Sequence, residues 1–327
     1  MRGRPHAERE LGAASLRRWL GPLLAAAVWA AWLLGQRALA VDVPFAETWP
    51  LAVAMLFGSL VAGATSEGGG AIAFPVMTLL FAIPPAVARD FGLMIQSVGM
   101  SAAALVIIAR RTPVAWRAIG LAAPAGALGL ALGLAFVAPH VGGPAVKLFF
   151  CALWAAFAVS HWKMDRSGPR DTRAGAGTLL LAGLVGGVVT SLVGTGLDIV
   201  VFSVLVLRQG VSETVATPTS VVLMALGSLA GFALRGAALP AEAWAYWWTC
   251  VPVVVVGAPL GARLIEGRSR ALVSRLLYGS VAIQLVAALV LLPLTPGRVA
   301  LVLATFAAGL ALFFGVAAPR RLEAAHG

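Results

Sequence analysis

The chain has 327 residues, of which 60% are hydrophobic and 11% are charged, and its mean hydropathy is +0.94. This composition excludes an ordinary soluble globular protein, in which about 25% of the residues are charged. The net charge of +11 would suggest nucleic-acid binding in a soluble protein. Here the basic residues cluster in short loops between apolar runs, which is typical of a membrane protein, and we expect no nucleic-acid partner.

The first apolar run, from Trp19 to about Leu34, follows a basic N-terminal stretch. It is either a retained transmembrane helix or part of a signal peptide, because Ala38-Leu39-Ala40 has the small-x-small form of a cleavage site. We favour the retained helix, since the apolar part is long for a signal peptide and Gln36-Arg37 interrupts the approach to the site.

Apolar runs of about 17–22 residues recur along the rest of the chain and predict membrane-spanning helices. The predicted spans lie near residues 49–65, 91–109, 117–138, 144–162, 178–193, 215–234, 243–261, 271–292 and 299–318. Two shorter apolar pieces, 71–83 and 197–207, each follow a polar break.

These two breaks combine acidic residues with glycines. The first is Ser66-Glu67-Gly68-Gly69-Gly70, followed by Pro75, and the second is Gly194-Thr195-Gly196-Leu197-Asp198. Charged side chains and irregular backbone are costly in hydrocarbon unless they line a cavity or are buried in protein. We therefore predict that the two breaks face each other and form the functional site.

The second half of the chain repeats the first at a spacing of 128 residues. This shift superimposes Phe74 on Phe202 and Trp116 on Trp244, and residues of these types are too uncommon here for chance matches. If each break is a hairpin, each repeat has an odd number of membrane crossings, so the copies are inverted. Of the 24 Lys and Arg residues, only five then lie outside, in agreement with the positive-inside rule: Arg37, Arg89, Lys147, Arg235 and Arg298.

The predicted fold is an all-α polytopic membrane protein with two inverted repeats, each a broken-helix (re-entrant) hairpin plus three transmembrane helices. Extra helices precede and follow the repeats. The predicted division is a basic N-terminus with an extra helix (1–48), a first repeat (49–162), a basic cytoplasmic linker (163–177), a second repeat (178–292), and a C-terminal helix and tail (293–327). Transporters built this way bind substrate near the midplane, where the broken helices meet.

Backbone amides at the start of a broken helix favour anions, and glycines leave those amides accessible. Short polar side chains in the spans after each break suit hydrogen bonding to an oxyanion. The glycines could instead pack helices closely, and the hydroxyl groups could bond to their own helix. The predicted substrate-binding residues are Glu67, Gly68, Gly69, Gly70, Gln96, Thr195, Gly196, Asp198, Thr217 and Thr219.

Glu67 and Asp198 are the only acidic residues well inside apolar sequence. A carboxyl group away from water holds its proton more readily, so either residue is a candidate for proton coupling. The alternative is a structural partner to a hydroxyl group, a backbone amide or an arginine. Arg89-Asp90 lies at the edge of a predicted loop, and we interpret it as a surface or mouth pair rather than a ligand.

An enzyme of a different class, an intramembrane aspartyl protease, would need two intramembrane aspartates, one of them preceded by Gly-x-Gly. Leu197 separates Gly194-Thr195-Gly196 from Asp198, and no second intramembrane aspartate pairs with it. The sequence also has no ATP-binding loop and no His or Cys spacing typical of a metal site. We therefore predict that the chain is not an enzyme and needs no cofactor or metal.

Two stretches of the sequence resemble the TauE/SafE sulfite-exporter family, also called TSUP. They are GSLVAGATSEGGGAIAFPVMTLLF followed by ARDFGLMIQSVGM, and GLVGGVVTSLVGTGLDIVVFSVLVL followed by VSETVATPTSVVLMALGS. The resemblance covers about residues 50–290 and implies an inner-membrane carrier for small sulfur-containing anions such as sulfite or sulfonates, often for export.

By match to the family pattern, Gly68, Gly69, Gly70 and Pro75 form the first break, and Gly194 and Gly196 belong to the second. The chain departs from the pattern in the second copy. There Thr195 and Leu197-Asp198 replace an all-glycine run, and Ser203 stands where the first copy has Pro75. The departure implies that the second half-site contacts substrate through side chains rather than backbone.

The predicted function is therefore a secondary transporter, acting as an exporter, of small sulfur-containing anions. An anion channel and a non-transporting membrane assembly factor remain alternatives. We expect a location in the inner membrane of a bacterium with both termini cytoplasmic. The expected partners are the lipid bilayer, the anion and a possible coupling H⁺ or Na⁺; the sequence does not indicate the oligomeric state.

Overall fold

The computed structural model of the protein describes residues 4–64, 73–141, 143–164, 175–265 and 270–317. Every regular element in these ranges is a helix. The α-helices are α1 (Arg4–Ala38), α2 (Phe45–Ala64), α3 (Pro85–Ala109), α4 (Trp116–Phe136), α5 (Gly143–Met164), α6 (Ala176–Val193), α7 (Leu197–Ser203), α8 (Glu213–Arg235), α9 (Ala241–Ile265), α10 (Arg270–Leu291) and α11 (Pro296–Ala317).

Nine helices in the described part of the chain are long and apolar enough to cross a membrane. Large apolar side chains cover the outside of the bundle; Ile283 and Val290 on α10, for example, are 73% and 75% exposed. Such a surface would be unfavourable in water and is suited to contact with lipid tails. The prediction of an all-helical, polytopic membrane protein is confirmed.

Most helices lie close to the predicted spans, but α3 begins at Pro85 rather than near residue 91. Proline is favoured in the first turn of a helix, where its missing N–H leaves no hydrogen bond unmade. Arg89 and Asp90 are consequently helical residues and do not belong to the preceding loop.

Three pairs of long helices form the centre of the molecule: α4 packs along α6, α2 along α9, and α3 along α8. Glycines permit close contact in the first two pairs. A side chain at Gly129 would overlap the carbonyl group of Leu184, and one at Gly257 would overlap Ser59. Small residues allow this approach between membrane helices. Around the centre, α5 packs against α10 and α11, and α1 packs against α9 and α3.

The two short apolar pieces share an unusual backbone feature. Each ends in a single turn of π-helix, Val76–Leu80 in the first and Val204–Arg208 in the second. Pro75 and Ser203 directly precede these turns. Single π-turns are rare and often occur at functional sites.

Candidate functional site

The second break ends α6 and turns the chain back beside it. Gly194, with φ of +81°, donates its N–H to the carbonyl of Thr190 at 2.8 Å, and Gly196 has φ of +148°. Positive φ values favour glycine, so these two residues let the chain reverse over a short loop. After the reversal, Leu197 lies beside α6 and donates its N–H to the hydroxyl oxygen of Thr190 at 3.0 Å.

Asp198 lies in the first turn of α7, and its carboxylate caps the start of that helix. One carboxylate oxygen accepts the Gly196 N–H at 2.8 Å and the Thr195 hydroxyl at 3.1 Å. Asp198 is 1% exposed, and it forms no ion pair within the described part of the chain. The first N–H groups of a helix need such partners, and an acidic side chain that bonds back to the cap residue supplies one. The second break thus satisfies its own donors through Asp198 and Thr190.

Gln96 on α3 connects to this break. Its side-chain Nε2 donates to the carbonyl groups of Gly194 and Gly92, both at 2.9 Å, and the residue is 2% exposed. Two carbonyl acceptors fix the amide orientation and direct Oε1 away from them. Among the described residues, no donor reaches Oε1. Because a buried unpartnered acceptor costs about 1–3 kcal/mol, Oε1 is suited to a ligand or water that carries a donor.

A small cavity lies between α2, α3 and α9, with Gln96 in its wall. Its volume is about 20 Å³, which is room for about one water molecule. Ser59 and Ala62 from α2 and Val254 from α9 also line it. The residues of the first break directly follow the end of α2 in the sequence. Gln96 therefore lies between the second break and the helix that leads into the first.

The predicted site residues fall into separate groups. Four of them lie outside the described residues: Glu67, Gly68, Gly69 and Gly70. Four others come together around the second break: Gln96, Thr195, Gly196 and Asp198. The role of all eight in substrate binding stays a prediction.

Thr217 and Thr219 lie on α8, in its first two turns, and both are buried. The Thr219 hydroxyl accepts the Ala115 N–H at 2.8 Å and donates to the Val215 carbonyl at 2.7 Å. Because Ala115 directly precedes α4, this hydroxyl satisfies an N–H group at the start of that helix. Substrate contact by either threonine stays a prediction, and for Thr219 the two bonds favour a structural role.

The structure corrects the interpretation of Arg89-Asp90 as a surface or mouth pair. Asp90 is 1% exposed and Arg89 is 8% exposed. Asp90 forms ion pairs with Arg89 and with Arg235 at the end of α8. Charged groups tolerate burial when they are paired in this way. Sequence reasoning counted all three as loop charges, although each lies at the end of an apolar run, and it missed the role of Arg235.

Metal binding has no support in this part of the molecule. Across the described ranges, no group of three or more His, Cys, Asp or Glu side chains lies close enough to hold a metal ion.

Comparison with known proteins identifies one family. The model of the family described as "Sulfite exporter TauE/SafE" matches residues 51–287, which is well over half of the chain. The chain matches no curated protein and no solved structure. The matched region contains the residues of both breaks.

Proposed function

The chain belongs to the sulfite exporter TauE/SafE family of membrane transporters, and we propose that it is a secondary transporter, acting as an exporter, of small sulfur-containing anions. Sulfite and organosulfonates are the proposed substrates. The anion binds where the two broken helices meet, near the membrane midplane. The observation that carries this proposal is the family match, which spans the residues of both breaks. Gln96 bonds to the second of these breaks and lines the cavity beside the end of α2.

Matching backbone bonds support two copies of one structural unit. In the first half, the Ile83 N–H donates to the Met77 carbonyl at 2.8 Å. In the second, the Val211 N–H donates to the Leu205 carbonyl at 3.0 Å. Both members of the second pair lie 128 residues after those of the first, which is the spacing of the sequence repeat. These bonds follow the two π-turns, so the unusual backbone is itself repeated.

Matching helix contacts also support two related repeats, because a glycine of each copy packs against the first helix of the other copy. A Cβ atom at Gly133 would lie 3.2 Å from the Cα atom of Val188, and one at Gly261 would lie 3.1 Å from the Cα atom of Leu60. The 128-residue shift converts Gly133 to Gly261 and Leu60 to Val188. The α4–α6 and α2–α9 contacts are therefore reciprocal, as expected for two related repeats packed about a pseudo-two-fold axis.

Long-range contacts support the proposed orientation in the membrane. Asp90 pairs with Arg235, and both lie near loops assigned to the outer side. His161 lies 3.7 Å from Glu213, and both lie near loops assigned to the cytoplasm. An inverted arrangement with both termini cytoplasmic, in the inner membrane of a bacterium, fits these pairs.

We infer that the first break binds the anion through its backbone. At the second break, Thr190 and Asp198 already occupy the N–H groups of Leu197 and Gly196. The 128-residue shift replaces Thr190 by Ala62 and Asp198 by Gly70, neither of which has a side-chain acceptor. The first break thus lacks acceptors at the two positions that cap the second, which supports the proposal that its amides bind the anion.

The proposed site requires motion. A cavity with room for about one water molecule is too small for a sulfur oxyanion. The helices around Gln96 must therefore move apart to admit substrate, as in an alternating-access carrier. Glu67 and Asp198 are the proposed candidates for coupling to H⁺, and Na⁺ is the other candidate coupling ion.

Uptake by proteoliposomes tests the function. Vesicles that contain the purified protein should accumulate labelled sulfite or an organosulfonate above protein-free vesicles, and preloaded unlabelled anion should accelerate this uptake by counterflow. Uptake without counterflow would indicate a channel, and absence of uptake for every sulfur anion would contradict the proposal and favour an assembly factor.

A further inference from the structure

A buried cluster of three charged side chains lies beside the second break. Arg89 donates from Nε to the Asp90 carboxylate at 2.9 Å, and its Nη2 lies 2.8 Å from the same oxygen. Arg235 donates to that carboxylate from Nε at 3.1 Å and from Nη2 at 2.7 Å. Arg89 also donates from Nη1 to the Ser191 carbonyl of α6 at 3.4 Å. The cluster thus joins α3, α6 and α8 where the second break begins.

The cluster carries two positive charges and one negative charge. The side chains of Asp90, Arg89 and Arg235 are 2%, 10% and 24% exposed. Within the described ranges, no second carboxylate pairs with either arginine. Asp198, the acidic residue of the second break, bonds to Gly196 and Thr195 instead. A net charge in a site largely shielded from water is costly, and a bound anion would offset that cost.

Arg235 retains donors for such an anion. Its Nε and Nη2 bond to Asp90, and Nη2 also donates to the Ala238 carbonyl at 3.0 Å. No acceptor among the described residues bonds to Nη1. The N–H groups of Nη1 therefore remain as charge-assisted donors for the oxygens of a tetrahedral or pyramidal oxyanion.

The cluster occurs at one end of the molecule only. The 128-residue shift places Thr217 and Pro218 at the positions of Arg89 and Asp90, so the second repeat cannot form a copy of it. In the proposed topology this end faces outward. Basic residues are depleted on the outer side of membrane proteins, and two of the five that this chain has there meet at one carboxylate.

We propose that Arg89 and Arg235 form a second, outer docking site for small oxyanions, separate from the site between the breaks. Its ligand is the transported sulfur oxyanion, so this inference rests on the proposed function. The phosphate of a lipid headgroup offers guanidinium the same chemistry. A free solute is favoured because the Arg89 side chain is nearly inaccessible to a bulky lipid headgroup, bonds to the Ser191 carbonyl near the end of α6, and has its own backbone next to Gly194 of the second break.

Equilibrium binding of labelled sulfite to the full-length protein tests the proposal. The protein is held in a phosphate-free maltoside detergent at low ionic strength. The wild type should bind two anions per chain. Salt should weaken binding at the outer, more exposed site more steeply, and Arg235→Gln should lose the anion of that site. Arg298→Gln is the matched control, because Arg298 is also assigned to the outer side but, among the described residues, bonds to the nearby Pro293 carbonyl and to no carboxylate. Arg235→Lys keeps the charge but cannot bond to Asp90 and reach an anion in the same geometry, so it should retain weakened binding.

The outcomes separate the two sites. Loss of one anion in Arg235→Gln, with thermal unfolding like that of Arg298→Gln, supports the outer site. Unchanged stoichiometry in Arg235→Gln overturns it, even if the wild type transports sulfite. Native mass spectrometry of lipid-supplemented samples tests the lipid alternative. If Arg235→Gln loses a bound phosphatidylglycerol rather than a sulfite, the site binds lipid and the proposal is overturned. If the wild type transports no sulfur anion but Arg235→Gln still loses a sulfite, the proposed function fails and the outer site stands.

Discussion

Gln96 and Gly194 lie 98 residues apart, and the Gln96 side-chain amide donates to the Gly194 carbonyl at 2.9 Å. This bond ties α3 in the first half of the chain to the break in the second half. The second Gln96 bond, to Gly92 on its own helix, fixes the amide so that Oε1 is left without a partner among the described residues. A single side chain thereby supports the backbone of the second break and keeps Oε1 as an available acceptor.

Replacement of Gln96 by leucine should weaken both structure and transport. The Gly194 carbonyl loses a donor, so the free energy of unfolding should fall by about 1 kcal/mol, while sulfite uptake should fall by about 10-fold because the break loses its support. Gln284→Leu is a matched control, since Gln284 is a buried glutamine on α10 whose Oε1 also lacks a partner among the described residues. Equal loss of uptake in the two variants would contradict the role of Gln96.

Gly194→Ala should destabilise the protein through backbone strain and a close contact. The residue has φ of +81°, and an added Cβ atom would lie 2.9 Å from the Arg89 carbonyl oxygen. We expect a loss of about 1–3 kcal/mol, measured by thermal unfolding in detergent. Gly279→Ala is the control, because an added Cβ atom there would meet no atom within 4 Å. A stability for Gly194→Ala equal to that of Gly279→Ala would show that the break is not built as described.

Asp198 and Glu67 should respond differently to loss of charge. Because the Asp198 carboxylate caps Gly196, Asp198→Ala should cost about 1–3 kcal/mol of stability, whereas Asp198→Asn keeps an acceptor and most of the stability. We expect Asp198→Asn to retain the stimulation of transport by a pH gradient and Glu67→Gln to lose it. The measurement is initial uptake with and without an imposed gradient. Loss of stimulation in Asp198→Asn would assign the coupling proton to Asp198 instead.

The proposed inverted topology predicts which residues an impermeant thiol reagent reaches in intact cells. The native Cys151 and Cys250 are buried, so they should give little background. Cysteines introduced at His140 and Thr295 should be labelled from outside, and those at Arg117 and Lys163 only after permeabilisation. Labelling of His140→Cys and Lys163→Cys from the same side would contradict the proposed orientation, since His140 precedes the start of α5 and Lys163 lies at its end.

The sequence was sufficient to predict the membrane helices and the second break, because length, hydropathy and glycine placement are local properties. It also selected Gln96, which follows the first break in the chain but bonds to the second. That connection depends on how α3 packs against the end of α6, and only the repeat and the charge asymmetry suggested that the two halves meet there.

The Arg89–Asp90–Arg235 cluster lay beyond sequence reasoning for a different reason. Arg235 reaches Asp90 across 145 residues, so the burial of all three depends on how α3 and α8 pack. Thr190 was also missed, because a hydroxyl group in a helix usually bonds to its own backbone. Thr190 does so at Gly186, and it also accepts the Leu197 N–H after the chain reverses.

The central claim is that the anion binds between the two breaks, and sulfite uptake by Gly69→Leu proteoliposomes tests it most directly. The added side chain should block approach of the anion to the first break and reduce uptake at least about 10-fold. Ser228→Ala, which removes a buried hydroxyl that donates to the Ala225 carbonyl of its own helix, is the control and should keep wild-type uptake. Gly69→Leu uptake equal to that of Ser228→Ala, at equal reconstituted amounts, would contradict the account.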